Sequence, residues 1–325
     1  MTKLLEIEDL RVEFQSAQGI VKAVDGLTYH VEQGETVAVV GESGCGKSVS
    51  ALAILGLVPS PPGRVTGGSI RFEGSDLLKL SDEDIRKVRG REIAMVFQEP
   101  MTSLNPVLNI ETQLTETMRH HLGMTRAQAW DRAVELLGMV SISEPERRLK
   151  QYPHHFSGGM RQRVMIANAL SCEPKLIVAD EPTTALDVTI QAQILELMKE
   201  LTSRLGVALV LITHNLGVVA RYADRINVMY AGKIVETGTT ERLYANPSHP
   251  YTVGLMGSVP RIDSRRGDRL TPIDGQPPDL ARLDGGCAYR PRCTLAAEEC
   301  AKSFPPLEAL DEAHRSACFR KDAIR

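Results

Sequence analysis

Short apolar runs recur along the chain, separated by longer segments in which apolar residues repeat with helical spacing. The uninterrupted runs predict buried strands at residues 36–40, 176–179, 207–213 and 225–230. The amphipathic segments predict helices at residues 49–57, 158–170 and 189–205, with a mostly helical block at 108–149. Strand character also marks residues 4–14, 69–75 and 92–97, whereas 60–68 predict a loop. Alternating strands and helices indicate an α/β fold with a parallel sheet covered on both faces.

The residue composition changes near residue 246, after which proline, glycine and arginine become frequent. We therefore predict a main domain over residues 1–245, with an inserted helical subdomain at about 100–165. Residues 246–325 are predicted to form a small, irregular C-terminal extension.

Composition narrows the choice of partners. The 325 residues carry a net charge of −3, which argues against nucleic acid as the main partner. The N-terminus lacks the basic start and apolar stretch of a signal peptide. The longest apolar runs are far below the roughly 20 residues that span a bilayer. If the protein acts at a membrane, another chain must cross it.

Residues 41–48 read GESGCGKS and match the phosphate-binding pattern G-x-x-x-x-G-K-S between a predicted strand and a predicted helix. The glycines let successive backbone N–H groups point at one anion, and the helix N-terminus adds positive partial charge. Lys47 would contact the β- and γ-phosphates of ATP, and Ser48 would bind Mg²⁺. The candidate nucleotide-contacting residues are Gly41, Ser43, Gly44, Cys45, Gly46, Lys47 and Ser48.

Two acids, Asp180 and Glu181, end the predicted strand at 176–179. A carboxylate at a strand tip beside a phosphate loop can hold Mg²⁺ through water, which suits Asp180. Glu181 could orient and deprotonate an attacking water molecule. The alternative is a solvated pair of acids with no catalytic role.

The segment FSGGMRQR at residues 156–163 resembles the L-S-G-G-Q signature of ABC ATPases, with Phe156 in place of Leu and Met160 in place of Gln. Ser157, Gly158 and Gly159 remain, and a Ser hydroxyl with glycine N–H groups at a helix start makes an anion site. The resemblance implies that this site binds the γ-phosphate held by an opposite subunit. It also implies an ABC-type P-loop NTPase fold, in which the mostly parallel core carries an antiparallel β subdomain.

Other positions match the family in order. The resemblance implies that Gln98 senses Mg²⁺ and couples to membrane subunits, and that the loop at 185–187 places Asp187 at the dimer contact. It implies that His214 contacts the γ-phosphate and that Phe14 stacks on adenine, although a lone Phe also suits a core position. Asn215 departs from the Asp of many members.

The resemblance extends to a branch of the family. Three segments resemble the ATP-binding subunits of importers of dipeptides, oligopeptides and nickel: residues 246–255 (NPSHPYTVGL), 99–106 and 180–193. The pattern is most similar to that of dipeptide-permease ATP-binding subunits. This implies two transmembrane permease subunits, an external solute-binding protein and a second ATPase subunit, with a heterodimer favoured over a homodimer. The implied location is the cytoplasmic face of the cell membrane.

Cys287, Cys293, Cys300 and Cys318 crowd the extension, and four thiols in a chain without a secretion signal indicate a metal site. A [4Fe–4S] cluster and zinc both take four thiolates. The wide spacing favours the cluster, which the importer branch also carries in this tail. We interpret it as structural, with redox sensing as the alternative.

We therefore predict an ATP-hydrolysing subunit that energises peptide uptake, with nickel or another small solute as an alternative cargo. A soluble ABC ATPase acting on nucleic acid or ribosomes is a rival hypothesis, opposed by the single ATPase unit and the net charge of −3. A regulatory nucleotide binder without turnover is a second rival. The intact Lys47, Asp180, Glu181 and His214 oppose it.

Overall fold

The structure is a computed structural model that describes residues 3–17, 19–99, 103–183, 187–258 and 272–324. The strands are β1 (Lys3–Ser16), β2 (Gly19–Glu32), β3 (Thr36–Val40), β4 (Gly63–Phe72), β5 (Ser75–Asp76), β6 (Ile93–Val96), β7 (Leu176–Asp180), β8 (Ala208–Thr213), β9 (Arg225–Tyr230), β10 (Lys233–Thr239), β11 (Glu308–Ala309) and β12 (His314–Ser316). The helices are α1 (Lys47–Ile54), α2 (Asp82–Val88), α3 (Ile110–Leu122), α4 (Arg126–Met139), α5 (Pro145–Leu149), α6 (Gly158–Leu170), α7 (Val188–Leu205), α8 (Leu216–Tyr222), α9 (Thr240–Ala245), α10 (Pro250–Gly257) and α11 (Glu299–Lys302).

The chain forms two compact units. The helical unit comprises Glu32–Glu35 and Lys79–Leu211. The phosphate-loop unit comprises Thr2–Val31, Thr36–Leu78 and Ile212–Arg325. The C-terminal extension therefore folds with the segment that carries the phosphate loop.

The phosphate-loop unit contains parallel and antiparallel pairs. All five residues of β3 are buried, and β3 lies parallel to β9, with Val37 opposite Arg225 and Val40 opposite Val228. Strand β10 pairs antiparallel with β9 and, at its other edge, with β12 of the extension. Apolar β-branched strands suit this buried position because both faces are covered.

An antiparallel sheet in the same unit has the order β2-β1-β4-β5. Strand β1 alternates buried and exposed residues over much of its length, as a sheet with one covered face requires. The prediction of a loop over 60–68 is wrong from Gly63 onward, because β4 begins there and pairs Gly63 with Phe14. Glycine is depleted in strands and β4 contains three glycines, so pairing with β1 decided the conformation.

The helical unit contains the parallel pair β6–β7 and the helices α2 to α7. The predicted helical block at 108–149 is confirmed as α3, α4 and α5. Gly123, with φ 65°, ends α3, and the side chain of Thr125 begins α4 in a capping box with Gln128.

The strands at 36–40 and 225–230 and the helix at 158–170 are confirmed within their predicted limits. The pattern did not indicate β2, β10 or α2. The division at residue 245 and the limits of the helical subdomain stay predictions. Among the described helices, none is long and apolar enough to cross a membrane.

Candidate nucleotide-binding site

The phosphate loop runs from the end of β3 into α1, as predicted. Lys47 is 4% exposed, and its Nζ donates to the carbonyl oxygens of Gly41 (2.8 Å) and Glu42 (2.9 Å). The lysine charge is thereby held inside the curve of the loop, where phosphate oxygens would meet it. Ser43 and Gly44 are exposed at the loop tip, and Ser48 lies half-buried in the first turn of α1.

Two glycines leave no space for a side chain. A Cβ on Gly41 would lie 2.2 Å from the carbonyl oxygen of Met229, and one on Gly46 would lie 2.1 Å from that of Ala23. Gly46 also has φ 105°, in the left-handed region that favours glycine. The loop is therefore held by close backbone packing against β9 and β2.

Cys45 is buried inside the loop, with its Sγ 3.8 Å from the Lys47 Nζ. Burial raises the pKa of the thiol, although Lys47 opposes the shift. A protonated, buried thiol behaves as a small apolar side chain. Its contribution to nucleotide binding stays a prediction.

Gln98 and Glu181, which are 83 residues apart, meet in the helical unit. The Gln98 Nε2 donates to a Glu181 carboxylate oxygen at 3.2 Å. Asp180, the last residue of β7, is 7% exposed. Glu181 follows it with φ 45°, an uncommon conformation for a residue with a side chain and one that is frequent at functional sites.

The segment that resembles the ABC signature is open to solvent at its polar end. Ser157 begins α6, and its hydroxyl accepts a hydrogen bond from the Met160 N–H at 3.4 Å. Ser157 and Gly158 are exposed and Gly159 is half-buried, whereas Phe156 is 3% exposed. Phenylalanine thus supplies apolar contact at the position of the usual leucine.

The remaining predicted residues lie in separate places. His214 is exposed at the end of β8. Asn215 begins α8, and its side chain accepts from the Val218 N–H at 3.3 Å, a capping role that Asp would also fill. Phe14 is half-buried beside Gly63. Asp187 is exposed at the start of α7, whereas residues 185–186 and 100–102 lie outside the described residues.

The four tail cysteines line one small cavity, together with His249 and Phe319. The Cys287 N–H donates to the Cys300 carbonyl at 2.8 Å. Burial raises the pKa of Cys287 and Cys293, and raises that of Cys318 to about 11. Across the described residues, no group of three or more His, Cys, Asp or Glu is placed to hold a metal ion. The four thiols thus share one cavity, and the metal site expected from the sequence stays a prediction.

Sequence reasoning missed two residues of the extension that contact the phosphate loop. The Tyr251 hydroxyl accepts from the Glu42 N–H at 2.8 Å, and Arg292 forms a bidentate ion pair with the Glu42 carboxylate. Tyr251 lies in the segment at 246–255, whose resemblance to the importer branch implies no contact with the phosphate loop. The only local feature that marks Arg292 is its position directly before Cys293.

Comparison with known proteins agrees with this geometry. Residues 24–184 match the family model described as ABC transporter, and 235–300 match the oligopeptide/dipeptide transporter C-terminal region. The chain is 51% identical over 314 residues to the oligopeptide transport ATP-binding protein OppD of Bacillus subtilis, covering 97% of this chain and 88% of that protein. The chain belongs to the ATP-binding proteins of the ABC transporter family.

Other relatives place the chain in the same family. It is 50% identical to the dipeptide transport ATP-binding protein DppD of Bacillus subtilis, covering 99% of this chain and 96% of that protein. The dimeric structure of the ATP-binding cassette MJ0796 bound to ADP and Pi aligns with a TM-score of 0.65 at 28% identity, covering 73% of this chain and 98% of that one. The ABC ATPase fold and the ATPase activity expected from the sequence are thereby confirmed.

Proposed function

We propose that this protein hydrolyses ATP to drive peptide uptake through an ABC-type membrane importer. The observation that carries this proposal is the 51% identity to an oligopeptide transport ATP-binding protein over 97% of the chain. The similarity includes the C-terminal region, which matches the oligopeptide/dipeptide transporter family model. The buried Lys47 in an intact phosphate loop supplies the ATP-binding chemistry.

The catalytic roles follow from the chemistry of the side chains. Lys47 neutralises charge on the β- and γ-phosphates, while the loop N–H groups orient them. Glu181 accepts a proton from the attacking water, and the hydrogen bond from Gln98 holds that carboxylate in place. His214 donates to the γ-phosphate. Catalysis then consists mainly of positioning and of stabilising charge.

Mg²⁺ takes oxygen ligands, and its proposed protein ligands are Ser48, Gln98 and the buried Asp180 carboxylate. When bound with ATP, it would neutralise charge that develops on the phosphate oxygens. The phosphates and water complete such a site, so three carboxylates need not lie together.

The partners follow from the exposed signature segment. Ser157 and Gly158 face solvent, so an ATP molecule bound to a second ATPase subunit can reach them. Gln98 is exposed and bonded to Glu181, which suits a link between the catalytic carboxylate and a membrane subunit. We place the protein at the cytoplasmic face of the membrane, with two permease subunits, a second and different ATPase subunit, and a solute-binding protein outside.

The test is uptake by cells that carry Lys47→Ala, with labelled dipeptide, longer peptide and nickel ion in parallel. Loss of peptide uptake supports the proposal and shows the preferred length. Loss of nickel uptake alone would move the cargo to metal ions. If all three persist in cells that lack related ATPases, the importer function is wrong, and binding to ribosomes or DNA becomes the hypothesis to examine.

The cysteine cavity supports a metal centre in the extension. A zinc ion needs four sulfur atoms at about 2.3 Å from one point, whereas a [4Fe–4S] cluster separates its ligands over several iron atoms. Four thiols around one cavity support a metal centre, and the wide spacing of these cysteines along the chain favours the cluster. Its thiolates would fold a segment poor in apolar core, which is a structural role.

Anaerobic purification followed by iron and acid-labile sulfide analysis checks this centre. Cys300→Ala should lower iron and sulfide, and Cys172→Ala, a buried cysteine outside the cavity, should leave both unchanged. Stoichiometric zinc without iron would exclude the cluster.

A further inference from the structure

Glu42 is the second residue of the phosphate loop, a position at which the pattern G-x-x-x-x-G-K-S requires no particular residue, and two side chains of the extension contact it. Arg292 Nη1 lies 2.6 Å from one Glu42 carboxylate oxygen, and Nη2 lies 2.9 Å from the other. The Arg292 side chain is 4% exposed and that of Glu42 is 26% exposed. A bidentate pair of this kind fixes both the distance and the orientation of the carboxylate.

Arg292 is itself held firmly. Its Nε donates to the Asp274 carbonyl at 2.8 Å, and its other donors also reach the Ile273 carbonyl and the Tyr230 hydroxyl. The five N–H groups of a guanidinium thus have five acceptors within reach. The bond to Glu42, which outweighs burial, raises the pKa of Arg292 further above its ordinary value. The guanidinium also lies 5.9 Å from the centre of the Tyr289 ring, within the range of a cation–π contact.

A second contact reaches the loop backbone. The Tyr251 hydroxyl, on a fully buried side chain, accepts the Glu42 N–H at 2.8 Å. The carbonyl of the same residue accepts from Lys47 at 2.9 Å. Glu42 therefore links Lys47, the proposed phosphate contact, to Tyr251 and Arg292 of the extension.

The charge of Glu42 needs this partner. A carboxylate within a loop that binds a polyanion repels the ligand unless a cation neutralises it. Arg292 supplies that cation from a nearly buried position, where solvent screens the pair weakly. Pro277, Pro278 and Leu280 of the extension line a small cavity against the same loop.

We infer that Arg292 is a positioning residue for ATP, which holds Glu42 so that the phosphate loop keeps its binding shape and the acidic side chain is neutralised. Tyr251 supports the same residue through its amide. The inference rests on the assignment of residues 41–48 as the ATP site. It gives the extension a direct role in ATP affinity, and the segment that carries Arg292 ends at Cys293 of the thiol cavity.

The experiment measures the Kd of a fluorescent ATP analogue with Mg²⁺ on the full-length chain. Arg292→Lys keeps the charge but loses the forked geometry, so the Kd should rise about fivefold. Arg290→Lys is the matched control, because Arg290 lies in the same 3₁₀ turn (Arg290–Arg292) but pairs with the exposed Asp284. It should leave the Kd within about twofold of wild type.

A double-mutant cycle separates positioning from general stability. In a Glu42→Gln background, Arg292→Lys should change the Kd by less than about twofold, because its partner charge is already gone. An equal effect in both backgrounds, or no effect in the wild-type background, would overturn the inference. If Arg292→Lys is too unstable to titrate, Tyr251→Phe should raise the Kd about threefold, and an unchanged Kd would overturn it.

Lys47→Ala distinguishes the ATP-site assignment of residues 41–48 from the positioning role of Arg292. It should abolish measurable binding if residues 41–48 hold ATP. Unchanged binding in Lys47→Ala would remove the proposed ATP site and this inference with it. Loss in Lys47→Ala with wild-type affinity in Arg292→Lys would remove this inference alone.

Discussion

The phosphate loop and the C-terminal extension are held in place by different forces. The loop follows β3, whose five residues are all buried, and its glycines pack against backbone carbonyls. The extension depends on polar pairs: Arg292 with Glu42, 250 residues away, and His314 with Glu236, 78 residues away. It also contributes Tyr251 and Tyr289 to a buried cluster that includes Val40.

This difference shows how each region can fail. Dense backbone packing tolerates no added atom, so the loop should be sensitive to small increases in volume. Buried polar pairs tolerate no lost partner, so the extension should be sensitive to truncation. A change in the proposed catalytic carboxylate, Glu181, should alter ATP turnover without disturbing the phosphate loop or the extension.

The largest expected effect is on turnover, from Glu181→Gln. The amide cannot accept the proton of the attacking water, so kcat should fall by about 10²- to 10⁴-fold. ATP affinity should change little because Lys47 and the loop remain. Steady-state ATPase assays and nucleotide titration measure the two quantities. Glu200→Gln, at an exposed position of α7, is the control. Turnover that survives in Glu181→Gln would contradict the catalytic assignment.

Gly46→Ala should damage the loop itself. The new Cβ would lie 2.1 Å from the Ala23 carbonyl oxygen, and φ at this position is 105°. We expect a loss of about 3 kcal/mol or more in the free energy of unfolding, together with loss of ATP binding.

Gly44→Ala is the matched control for the loop. Gly44 has φ 81° but no atom within 4 Å of an added Cβ, so the cost should be about 1 kcal/mol. Thermal or urea unfolding of both variants checks the difference. Equal costs would show that backbone conformation, and not packing, holds the loop.

His314→Ala should release the extension. The His314 Nε2 lies 2.8 Å from a carboxylate oxygen of the fully buried Glu236, which also accepts from the Ser248 N–H. Removing the imidazole leaves a buried carboxylate with too few partners, at a cost of about 3 kcal/mol. Arg315→Ala, at the exposed neighbour in β12, is the control. Limited proteolysis should show earlier cleavage of the tail in His314→Ala, and equal cleavage of the two variants would contradict the anchoring role.

The smallest effect is expected from Asp25→Asn. Burial raises the pKa of Asp25, but the hydrogen bond from Lys233 and the charges of Lys233 and Arg11 outweigh it and lower the pKa. A lowered folded-state pKa stabilises the fold above the unfolded value of about 3.8, and this stability is lost as pH falls through the lower folded value. The variant should be less stable at pH 7 by at most about 1 kcal/mol, because the pair is partly exposed.

Urea unfolding at a series of pH values checks this sign. The difference between wild type and Asp25→Asn should shrink in strong acid, and Asp131→Asn, at an exposed position of α4, is the control. A difference that persists in acid would mean that Asp25 acts through packing and not through its charge. A difference as large as that of His314→Ala would remove the contrast between exposed and buried polar pairs.

Strands β3 and β9 could be predicted because each is marked by a run of neighbouring apolar residues. The runs at 36–40 and 225–230 are apolar on both faces, which the buried parallel pair β3–β9 requires. The phosphate loop could also be predicted, since its glycines, Lys47 and Ser48 lie within eight residues. Strand β4 could not, because its first half is rich in glycine and its conformation depends on pairing with β1.

Some site residues could likewise be predicted from the sequence, whereas their long-range contacts could not. The role of Gln98 was expected from the resemblance and that of Glu181 from its place after a buried strand, and the structure adds their hydrogen bond across 83 residues. The contacts of Glu42 with Tyr251 and Arg292 could not be predicted, because nothing in a local pattern links residues that are 209 and 250 positions apart.

The sequence by itself determined the buried strands, the phosphate loop, the acids at the end of β7 and the concentration of cysteines in the extension. Each of these depends on the order of neighbouring residues, through periodicity, backbone freedom or the chemistry of adjacent side chains. The tertiary structure decided that the extension folds with the phosphate loop and that Arg292 neutralises Glu42 there. Such polar pairs are specific only when distant segments bury them together, because in water the same charges attract weakly.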